Sequence, residues 1–407
     1  MQEYVVEAGR PLRGGGCDAT VDGRPALVRH ALPGERVRAV VVHEPAEGRV
    51  HLDAVEVLSA SPDRVEPPCP YARPGRCGGC DWQHAALHAQ RALKAEAVSR
   101  LLGRDVTVEA VPVPGRADDG LRWRTRVQFD VTGDGRLGLH KHRSAELQPL
   151  DGCLIASEGV ESVGAEERQW PVAERVEVVG GSSGDRAVVV TPRKAKARVG
   201  ADVAGDVSVL RGDGRGGAEA VRGRPGVREH AVGRTWWVSG SGFWQSHVAA
   251  PDTLAAAVLG FLQPEASDLA LDLYAGVGLF AGALAPRVAR VVAVESSAPA
   301  VADARQNLRD LRNVEAHAGR VDAVLARLGL GRADLVVLDP PRDGAGAAVM
   351  RQLEALAPRR IAYVSCDPAS LARDLRALEA YALTDVRAFD LFPMTWHVEC
   401  VALLEPR

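Results

Sequence analysis

The hydrophobic pattern of the chain changes character along its length. Over residues 1 to about 58, apolar positions alternate with polar ones or form short β-branched runs, with Gly and Pro at the breaks. Five short strands joined by Gly-rich turns are typical of a small closed β-barrel of the OB type. No set of catalytic side chains lies in this segment, so we interpret it as a binding or packing module.

Residues 59–235 have a mixed pattern that predicts a small α+β unit. Residues 59–81 are rich in Pro and Cys and predict irregular structure. Residues 84–104 carry apolar side chains at helical spacing and predict a helix. We expect this helix to pack on the C-terminal unit, residues 236–407. Residues 122–142 predict a hairpin, whereas the Gly- and Arg-rich stretches within 180–230 predict weak links between strands.

Residues 236–407 show short apolar runs separated by helical segments rich in Ala, Leu and Arg. Strands that alternate with helices indicate a doubly wound parallel sheet, that is, a Rossmann-like α/β fold. The main apolar runs are LALDLYAG, RVVAVE, ADLVVLD and RIAYVSC. The chain therefore divides into three expected units, with boundaries near residues 58 and 235.

Composition adds that the protein is globular and without a membrane span. Apolar residues make up 46% of the 407 residues and charged residues 25%, as in soluble proteins. Neither an apolar leader nor 18 consecutive uncharged apolar residues occur, so we expect a cytoplasmic protein.

Charge is unevenly distributed. The net charge of −3 argues against a general nucleic-acid coat, yet residues 193–234 hold ten Lys or Arg against five Asp or Glu. Residues 116–143 hold seven against four. Such stretches suit phosphate contacts, and an equally simple explanation is the strong bias of this chain towards Arg.

A glycine-rich turn follows the first strand of the α/β segment. Asp272 ends that strand, and Gly276 and Gly278 allow the backbone to approach a ligand before the next helix begins. Glu295 ends the second strand, where an acidic side chain can bind both ribose hydroxyls of an adenosine ligand. This spacing predicts binding of a nucleotide or of S-adenosylmethionine.

Three more reactive side chains stand at strand ends. Asp339 opens the sequence DPPRDG after an apolar strand, and Arg342 in that sequence argues against methylation of an exocyclic nitrogen, for which an aromatic residue is usual there. Cys366 stands between a strand and a helix, where the pKa of a thiol can be lowered. Glu399 begins the run VECVALL, and a carboxylate at a strand edge near a cleft can serve as a general base.

The chain has seven cysteines, an odd number that argues against a disulfide framework. Cys69, Cys77 and Cys80 lie close together in the Pro-rich segment. With a distant fourth cysteine, this spacing is compatible with either zinc or a four-iron cluster.

These motifs together resemble the RNA uridine C5-methyltransferases over almost the whole chain. The motifs occur in that family's order: FWQ, DLYAGVGLF, DPPRDG, YVSCDPASLARDL and DLFPMTWHVE. The resemblance implies that Cys366 attacks C6 of uracil and that Glu399 removes the C5 proton. It also implies that S-adenosylmethionine is held by Gln245, Tyr274, Glu295 and Asp339.

The chemistry of uracil explains the need for a thiol and a base. C5 of uracil is a poor nucleophile, and addition of a thiolate at C6 makes C5 an enolate-like carbon that accepts a methyl group. The adduct releases the enzyme only after a base removes the C5 proton. Since the target uracil must leave its base stack to reach the thiol, single-stranded RNA loops are the expected targets.

The segment 1–58 resembles the TRAM domain that one branch of this family carries together with an iron–sulfur cluster. In that branch the cluster ligands correspond to Cys69, Cys77, Cys80 and Cys153, so the resemblance favours a [4Fe–4S] cluster. The branch acts mostly on large-subunit ribosomal RNA, which makes 23S rRNA the expected substrate. We expect a monomer that needs no partner protein. Two alternatives stay open: the same reaction on transfer RNA, and a non-catalytic RNA-binding protein.

Overall fold

The computed structural model describes residues 2–200 and 202–407 and contains four β-sheets. Three of these sheets are extended, and the fourth is a two-stranded hairpin. In this described part of the chain, no helix combines the length and the apolar character needed to cross a membrane.

The first sheet is built from the N-terminal residues, in the order β1-β4-β5-β3-β2. Its strands are β1 (Glu3–Glu7), β2 (Cys17–Val21), β3 (Arg24–Arg29), β4 (Arg36–His43) and β5 (Val50–Ser59). Alternating apolar side chains cover one face and form a separate core around Val28, Val37 and Leu52. Register shifts between β4 and β5 bend the sheet, and its outer strands β1 and β2 touch, so the sheet curls towards a barrel.

The middle of the chain forms a seven-stranded sheet in the order β13-β12-β11-β10-β7-β8-β9. Its strands are β7 (Arg126–Val131), β8 (Leu137–His140), β9 (Leu147–Pro149), β10 (Ala173–Gly180), β11 (Arg186–Pro192), β12 (Ser208–Gly212) and β13 (Ala218–Arg222). Two helices, α1 (Leu87–Leu102) and α2 (Glu158–Glu161), belong to the same stretch of sequence.

The prediction of weak links within 180–230 is wrong at one point. The Gly- and Asp-rich sequence around residue 210 contains β12, which pairs in parallel with β11. Val209 and Leu210 are fully buried there. The apolar residues Val207, Val209 and Leu210 are interrupted by a serine and stand between glycines and aspartates, so the strand character is hidden in the sequence.

The C-terminal part is an α/β unit preceded by the hairpin of β14 (Gly226–Ala231) and β15 (Arg234–Ser239). Its remaining strands are β16 (Leu269–Leu273), β17 (Arg290–Glu295), β18 (Val314–Ala318), β19 (Leu335–Leu338), β20 (Arg360–Ser365), β21 (Tyr381–Asp390) and β22 (Glu399–Pro406). The helices are α3 (Ala250–Leu262), α4 (Leu279–Leu284), α5 (Ala298–Asn307), α6 (Val321–Leu328), α7 (Ala347–Leu356) and α8 (Pro368–Leu375). A short 3-10 helix, Ala285–Arg287, follows α4.

The eight-stranded main sheet confirms the α/β fold class and has the order β18-β17-β16-β19-β20-β22-β21 followed by β6 (Val108–Ala110). The first five strands in that order are parallel. β22 runs antiparallel to both β20 and β21, so one reversed strand lies within the otherwise parallel sheet, and the motif pattern does not predict it. β6 pairs with β21 although it comes from the middle of the chain.

Both faces of the main sheet are buried, because helices cover each side. Side chains of one strand alternate between two separate apolar cores: Leu271 lies in one core and Ala270 in the other. Along β19, Val336 and Val337 divide in the same way. Burial on both faces explains why the strands read as continuous apolar runs.

Helix α1 lies against the α/β unit, where it contacts α8 and β6. Lys94 on this helix is buried, and its Nζ lies 2.5 Å from Oδ1 of Asp390 at the end of β21. The same ammonium group donates to the backbone carbonyl of Phe392 at 3.0 Å. Burial lowers the pKa of Lys94, and the charge of Asp390 opposes that shift.

We expect Lys94→Ala to destabilise the protein by about 3–5 kcal/mol, because it leaves the buried Asp390 carboxylate without its main counter-charge. The free energy of unfolding in urea measures this loss. Glu96→Ala is the matched control on the same helix, because Glu96 is exposed and pairs only with Arg100; its cost should stay within about 0.5 kcal/mol. Equal losses in both variants would show that the Lys94–Asp390 ion pair does not contribute specially to stability.

Candidate active site

The candidate residues of the α/β unit gather at the carboxyl ends of the parallel strands. β16 lies between β17 and β19, and the chain connections leave β16 in opposite directions along the sheet. Such a point opens a crevice in which ligands of α/β folds bind. Asp339 and Cys366 follow β19 and β20 at this same edge.

The turn after β16 is shaped by its glycines and by Glu295. Gly278 has φ +95°, and a Cβ there would lie 2.7 Å from a methyl of Leu308, so only glycine fits at the start of α4. The backbone N–H of Gly276 donates to Oε2 of Glu295 at 3.0 Å. The other carboxylate oxygen of Glu295 accepts from the N–H of Ser297 at 2.7 Å. The acidic side chain at the end of β17 is therefore fixed beside the turn.

Four of the predicted donor-binding residues line one narrow cavity, here named the Asp339 cavity. Its lining includes Gln245, Tyr274, Gly276 and Asp339. Nε2 of Gln245 donates to Oδ2 of Asp339 at 3.2 Å. Burial raises the pKa of Asp339 to about 7, and the hydrogen bond from Gln245 opposes the rise. Gly278 is not part of this lining, so its role is conformational.

Asp272 is a second buried carboxyl group at this edge, and sequence reasoning gave it no role. It is fully buried and accepts a hydrogen bond from the N–H of Ala281 at 2.7 Å, which secures the first turn of α4. Burial raises its pKa to about 8, and the charges of Asp339 and Glu295 add to the rise. At neutral pH the group is therefore largely protonated.

Cys366 and Glu399 are brought together by the antiparallel pairing of β20 with β22. In that pairing Ser365 stands opposite Cys400, so one step further along the same register Cys366 faces Glu399. Residues 33 positions apart in the sequence thus meet at one point of the sheet edge.

The thiol and the carboxyl group share an unusual electrostatic environment. Burial raises the pKa of the Cys366 thiol to about 11, and the charges of Glu399 and Asp339 contribute to the rise. Burial also raises the pKa of Glu399 well above its ordinary value, again with Asp339 contributing. The guanidinium of Arg342 lowers both pKa values. Arg342 is thus the cation that favours both anions.

A larger cavity of about 290 Å³, here named the Cys366 cavity, opens beside the thiol. Besides Cys366 and Arg342, its wall includes Trp123, Arg124, Ser246, Trp396 and His397. Gln245 lines the Asp339 cavity and the next residue, Ser246, lines the Cys366 cavity, so the two cavities are lined by adjacent residues of one backbone segment. An aromatic and cationic wall of this kind suits a flat nucleobase.

Sequence reasoning missed Trp123 and Arg124 as site residues. Trp123 is buried, and its ring meets that of Phe392 edge-on at 5.9 Å. Arg124 donates through Nε to the carbonyl of Arg126 at 2.9 Å, and burial lowers its pKa. The signal in the sequence was the single Trp between two arginines in RWRTR, a segment that was predicted only as part of a hairpin.

The four candidate cluster cysteines line a third cavity of about 230 Å³, here named the cysteine cavity. Its other lining residues are largely apolar, among them Val127, Leu139 and Leu150, and Arg124 lies at its edge as well. The thiols are close enough to influence one another: the charge of Cys69 raises the pKa of Cys77, and the charge of Cys77 raises that of Cys153.

The cysteine cavity offers four thiols, the donor type that both zinc and iron–sulfur clusters bind. Within residues 2–200 and 202–407, no three His, Cys, Asp or Glu side chains are close enough together to hold one metal ion. The N–H of Gly79 donates to Sγ of Cys77 at 3.4 Å, a contact that favours a thiolate.

Many arginines of the two basic stretches are used inside the protein. Arg193 donates to the backbone carbonyls of Val131 and Thr132 at 2.7 and 2.8 Å. Arg211 donates to backbone carbonyls of the segment before it, and Arg126 pairs with Glu177 at 3.1 Å. Part of the positive charge in these stretches therefore stabilises the middle sheet.

Comparison with known proteins identifies the class. Residues 240–407 match the model of the tRNA (uracil-5-)-methyltransferase family. The chain resembles the structure of the Pyrococcus abyssi tRNA (uracil-54, C5)-methyltransferase in complex with S-adenosyl-L-homocysteine, with a TM-score of 0.76, 24% identity and coverage of 98% of this chain and 99% of that one. At that identity the likeness defines the fold, which is that of an S-adenosylmethionine-dependent methyltransferase.

Sequence relatives extend over the full chain. An uncharacterised RNA methyltransferase of Streptomyces coelicolor is 50% identical, with 100% of this chain and 93% of the relative aligned. A 23S rRNA (uracil(1939)-C(5))-methyltransferase of Chromohalobacter salexigens is 33% identical over 94% of this chain and 85% of the relative. The protein belongs to the S-adenosylmethionine-dependent RNA (uracil-C5) methyltransferases.

Proposed function

We propose that this enzyme methylates C5 of a uridine in 23S rRNA through a covalent bond between Cys366 and C6 of uracil. The observation that carries the proposal is the register in which Cys366, at the wall of the Cys366 cavity, lies opposite Glu399. Gln245 lines the Asp339 cavity, and the adjacent Ser246 lines the Cys366 cavity. A uracil in the Cys366 cavity would therefore lie close to a methyl donor in the Asp339 cavity.

In this proposal the Asp339 cavity holds S-adenosylmethionine, which supplies the electrophilic methyl group. Glu295 would accept hydrogen bonds from the ribose hydroxyls, because its carboxylate already faces the glycine turn at Gly276. Gln245 and Asp339, joined at 3.2 Å, would bind the amino-acid end of the donor or orient the methyl group. Tyr274 and Gly276 complete the wall.

The first proposed step forms a bond between Sγ of Cys366 and C6 of uracil. The thiol first releases its proton to solvent, and the guanidinium of Arg342 favours the thiolate because it lowers the pKa that burial raises. The electron pair of the C5–C6 double bond moves towards C5 and O4. C5 then takes the methyl group from the donor sulfur, which leaves as a neutral thioether.

The second proposed step restores the uracil ring. Addition converts the thiolate into a neutral thioether, so the negative charge next to Glu399 disappears and ionisation of this carboxyl group becomes easier. Its raised pKa then makes the Glu399 carboxylate a strong base for the C5 proton. Loss of that proton re-forms the C5–C6 double bond and expels the thiolate of Cys366.

We expect Cys366→Ala to lower the rate of methyl transfer at least about a thousandfold, because no other thiol lines the Cys366 cavity within the described chain. Glu399→Gln should accumulate a covalent protein–RNA adduct, which is visible as a band of reduced mobility under denaturing conditions. Cys17→Ala and Glu405→Gln are the controls, since Cys17 lies in the first sheet and Glu405 lies near the far end of β22.

Methylated product from Cys366→Ala would exclude the covalent mechanism. Normal turnover by Glu399→Gln, without trapped adduct, would remove Glu399 from the role of base while leaving the nucleophile in place.

We further propose that Cys69, Cys77, Cys80 and Cys153 hold a [4Fe–4S] cluster and that the first sheet is a TRAM domain. Support comes from the shared cysteine cavity and from its apolar lining, which would leave thiolates unstable without a bound cation. Three ligands from the loop before α1 and one from the loop after β9 would join distant parts of the middle unit. The cluster would thus act as a structural cross-link.

Anaerobically purified protein should contain about four iron and four sulfide per chain. Cys80→Ala should lose this iron and unfold at lower denaturant concentration, whereas Cys17→Ala should keep it. Metal analysis and denaturation in urea measure both effects. Colourless protein with one zinc and no iron would contradict the cluster and leave zinc as the metal.

The choice of 23S rRNA rests on the full-length relative from Chromohalobacter salexigens, whose name gives that substrate. We propose a monomeric enzyme, and a ribosomal substrate would place it in the cytoplasm. The same reaction on transfer RNA is the competing proposal, favoured by the description of the matching family.

With labelled S-adenosylmethionine, we expect 5-methyluridine to form in unmodified 23S rRNA and transfer RNA to remain unlabelled. Nucleoside mass spectrometry of both RNAs, incubated in parallel, makes the comparison. Label in transfer RNA alone would favour the competing substrate. Absence of label in both, with methyl donor bound, would favour a non-catalytic RNA-binding protein.

A further inference from the structure

A loop of the first sheet reaches the Cys366 cavity. The connection between β1 and β2 contains three consecutive glycines, and Gly14 is part of the cavity wall. Gly15 has φ +79°, and a Cβ there would lie 2.4 Å from the Cβ of Asp81. The indole N–H of Trp82 donates to the carbonyl of Gly15 at 2.9 Å. The glycine loop is therefore fixed against the cysteine segment at the edge of the cavity.

Arg13 on this loop forms an ion pair with Asp367, the residue directly after the proposed nucleophile. Nη2 of Arg13 donates to Oδ2 of Asp367. The guanidinium also lies over the ring of Trp396, at 5.8 Å from its centre. The carboxylate is 7% exposed, whereas the arginine is 65% exposed. A side chain from residue 13 thus compensates a buried charge next to Cys366.

Asp367 has a second function that does not need its charge. Its Oδ1 accepts from the N–H of Ala369 at 3.0 Å and caps the N-terminus of α8. Asparagine caps helices as well as aspartate does. The cap and the charge of this residue can therefore be separated by Asp367→Asn.

The thiol of Cys366 already lies close to two carboxyl groups. The charges of Glu399 and Asp339 raise its pKa, and Arg342 is the cation that lowers it. The other charged or titratable groups facing Asp367 are Arg13 and His397. Burial lowers the pKa of His397 to about 4, so this ring is neutral at pH 7 and cannot compensate the carboxylate. Without Arg13, an unpaired charge would be added beside the thiol.

We propose that Arg13 is a positioning residue for the methyl-transfer reaction: its ion pair with Asp367 cancels a negative charge beside Cys366 and holds the nucleophile loop in place. The proposal rests on the proposed role of Cys366 as the nucleophile. It makes the N-terminal β-rich unit a part of the active site. A role limited to RNA binding would require no contact between that unit and the residue after the thiol.

The test measures the thiol directly, without RNA. Arg13→Gln should shift the pH profile of Cys366 alkylation by iodoacetamide upwards by about one unit, which means about tenfold less thiolate at pH 7. Peptide mass spectrometry distinguishes Cys366 from the other cysteines. Methyl transfer should fall about tenfold in kcat with little change in KM for RNA. Arg10→Gln is the control, since Arg10 pairs with Asp18 inside the first sheet.

Two further variants separate charge from structure. Arg13→Gln combined with Asp367→Asn should recover the alkylation profile and most of the activity, because the cap remains and the unpaired charge is gone. Arg13→Lys should keep the wild-type profile, because it keeps the charge.

An unchanged alkylation profile in Arg13→Gln, or a loss that Asp367→Asn does not recover, would overturn the proposal. A rise in KM alone would assign Arg13 to an RNA phosphate instead and would also overturn it. Failure of the nucleophile proposal gives a different result: Cys366→Ala would stay active, while the alkylation profile would still respond to Arg13.

Discussion

The site depends on the reversal of strand direction between β20 and β22. In a fully parallel sheet the start of β22 would lie at the opposite edge from the end of β20, and Glu399 would be far from Cys366. The antiparallel pairing brings both to the edge at which Asp272 lies near the end of β16 and Asp339 directly follows β19. Three of these four groups are carboxylic acids. Burial raises the pKa of each acid, and neighbouring carboxylates add to the rise for Asp272 and Glu399.

Positive charge is supplied to this edge from outside the strands. Arg342 comes from the loop after β19, Arg124 from the start of the middle sheet and Arg13 from the first sheet. Lys94 on α1 has the same relation to Asp390 at the end of β21. Arg342 and Lys94 compensate acidic groups at the ends of main-sheet strands, and Arg13 compensates Asp367 directly after β20. Arg13 and Lys94 come from outside the α/β unit. The three units are therefore joined by electrostatic contacts as well as by apolar packing.

The sequence predicted the residues that lie at strand ends, because apolar runs mark the strands and the reactive side chains follow them directly. Asp339, Cys366 and Glu399 were found in this way, and the α/β fold class is confirmed. The short strand β12 was misread because its apolar run is too brief for a periodic signal. The reversed direction of β22 and the pairing of β6 with β21 were not predicted, because pairing between distant segments leaves no local pattern.

The side chains that sequence reasoning missed share a physical character. Arg13, Trp123 and Arg124 lie in loops or at strand starts, and their roles depend on partners far away in the chain. Arg13 stands among glycines in a segment that reads as a turn, and nothing in that segment indicates a partner at residue 367. Glu295 was recognisable because its role follows from its spacing after Asp272, whereas an interdomain ion pair follows from no spacing.

The glycine loop at residues 14–16 also has a consequence for the order of folding. The wall of the Cys366 cavity combines Gly14 with Trp396, although these residues lie 382 positions apart in the chain. Contacts of such wide sequence separation form late, because loop closure costs entropy before the contact stabilises the fold. The separate sheets can therefore form before the cavity does, and a partly folded chain would contain ordered sheets without a reactive centre.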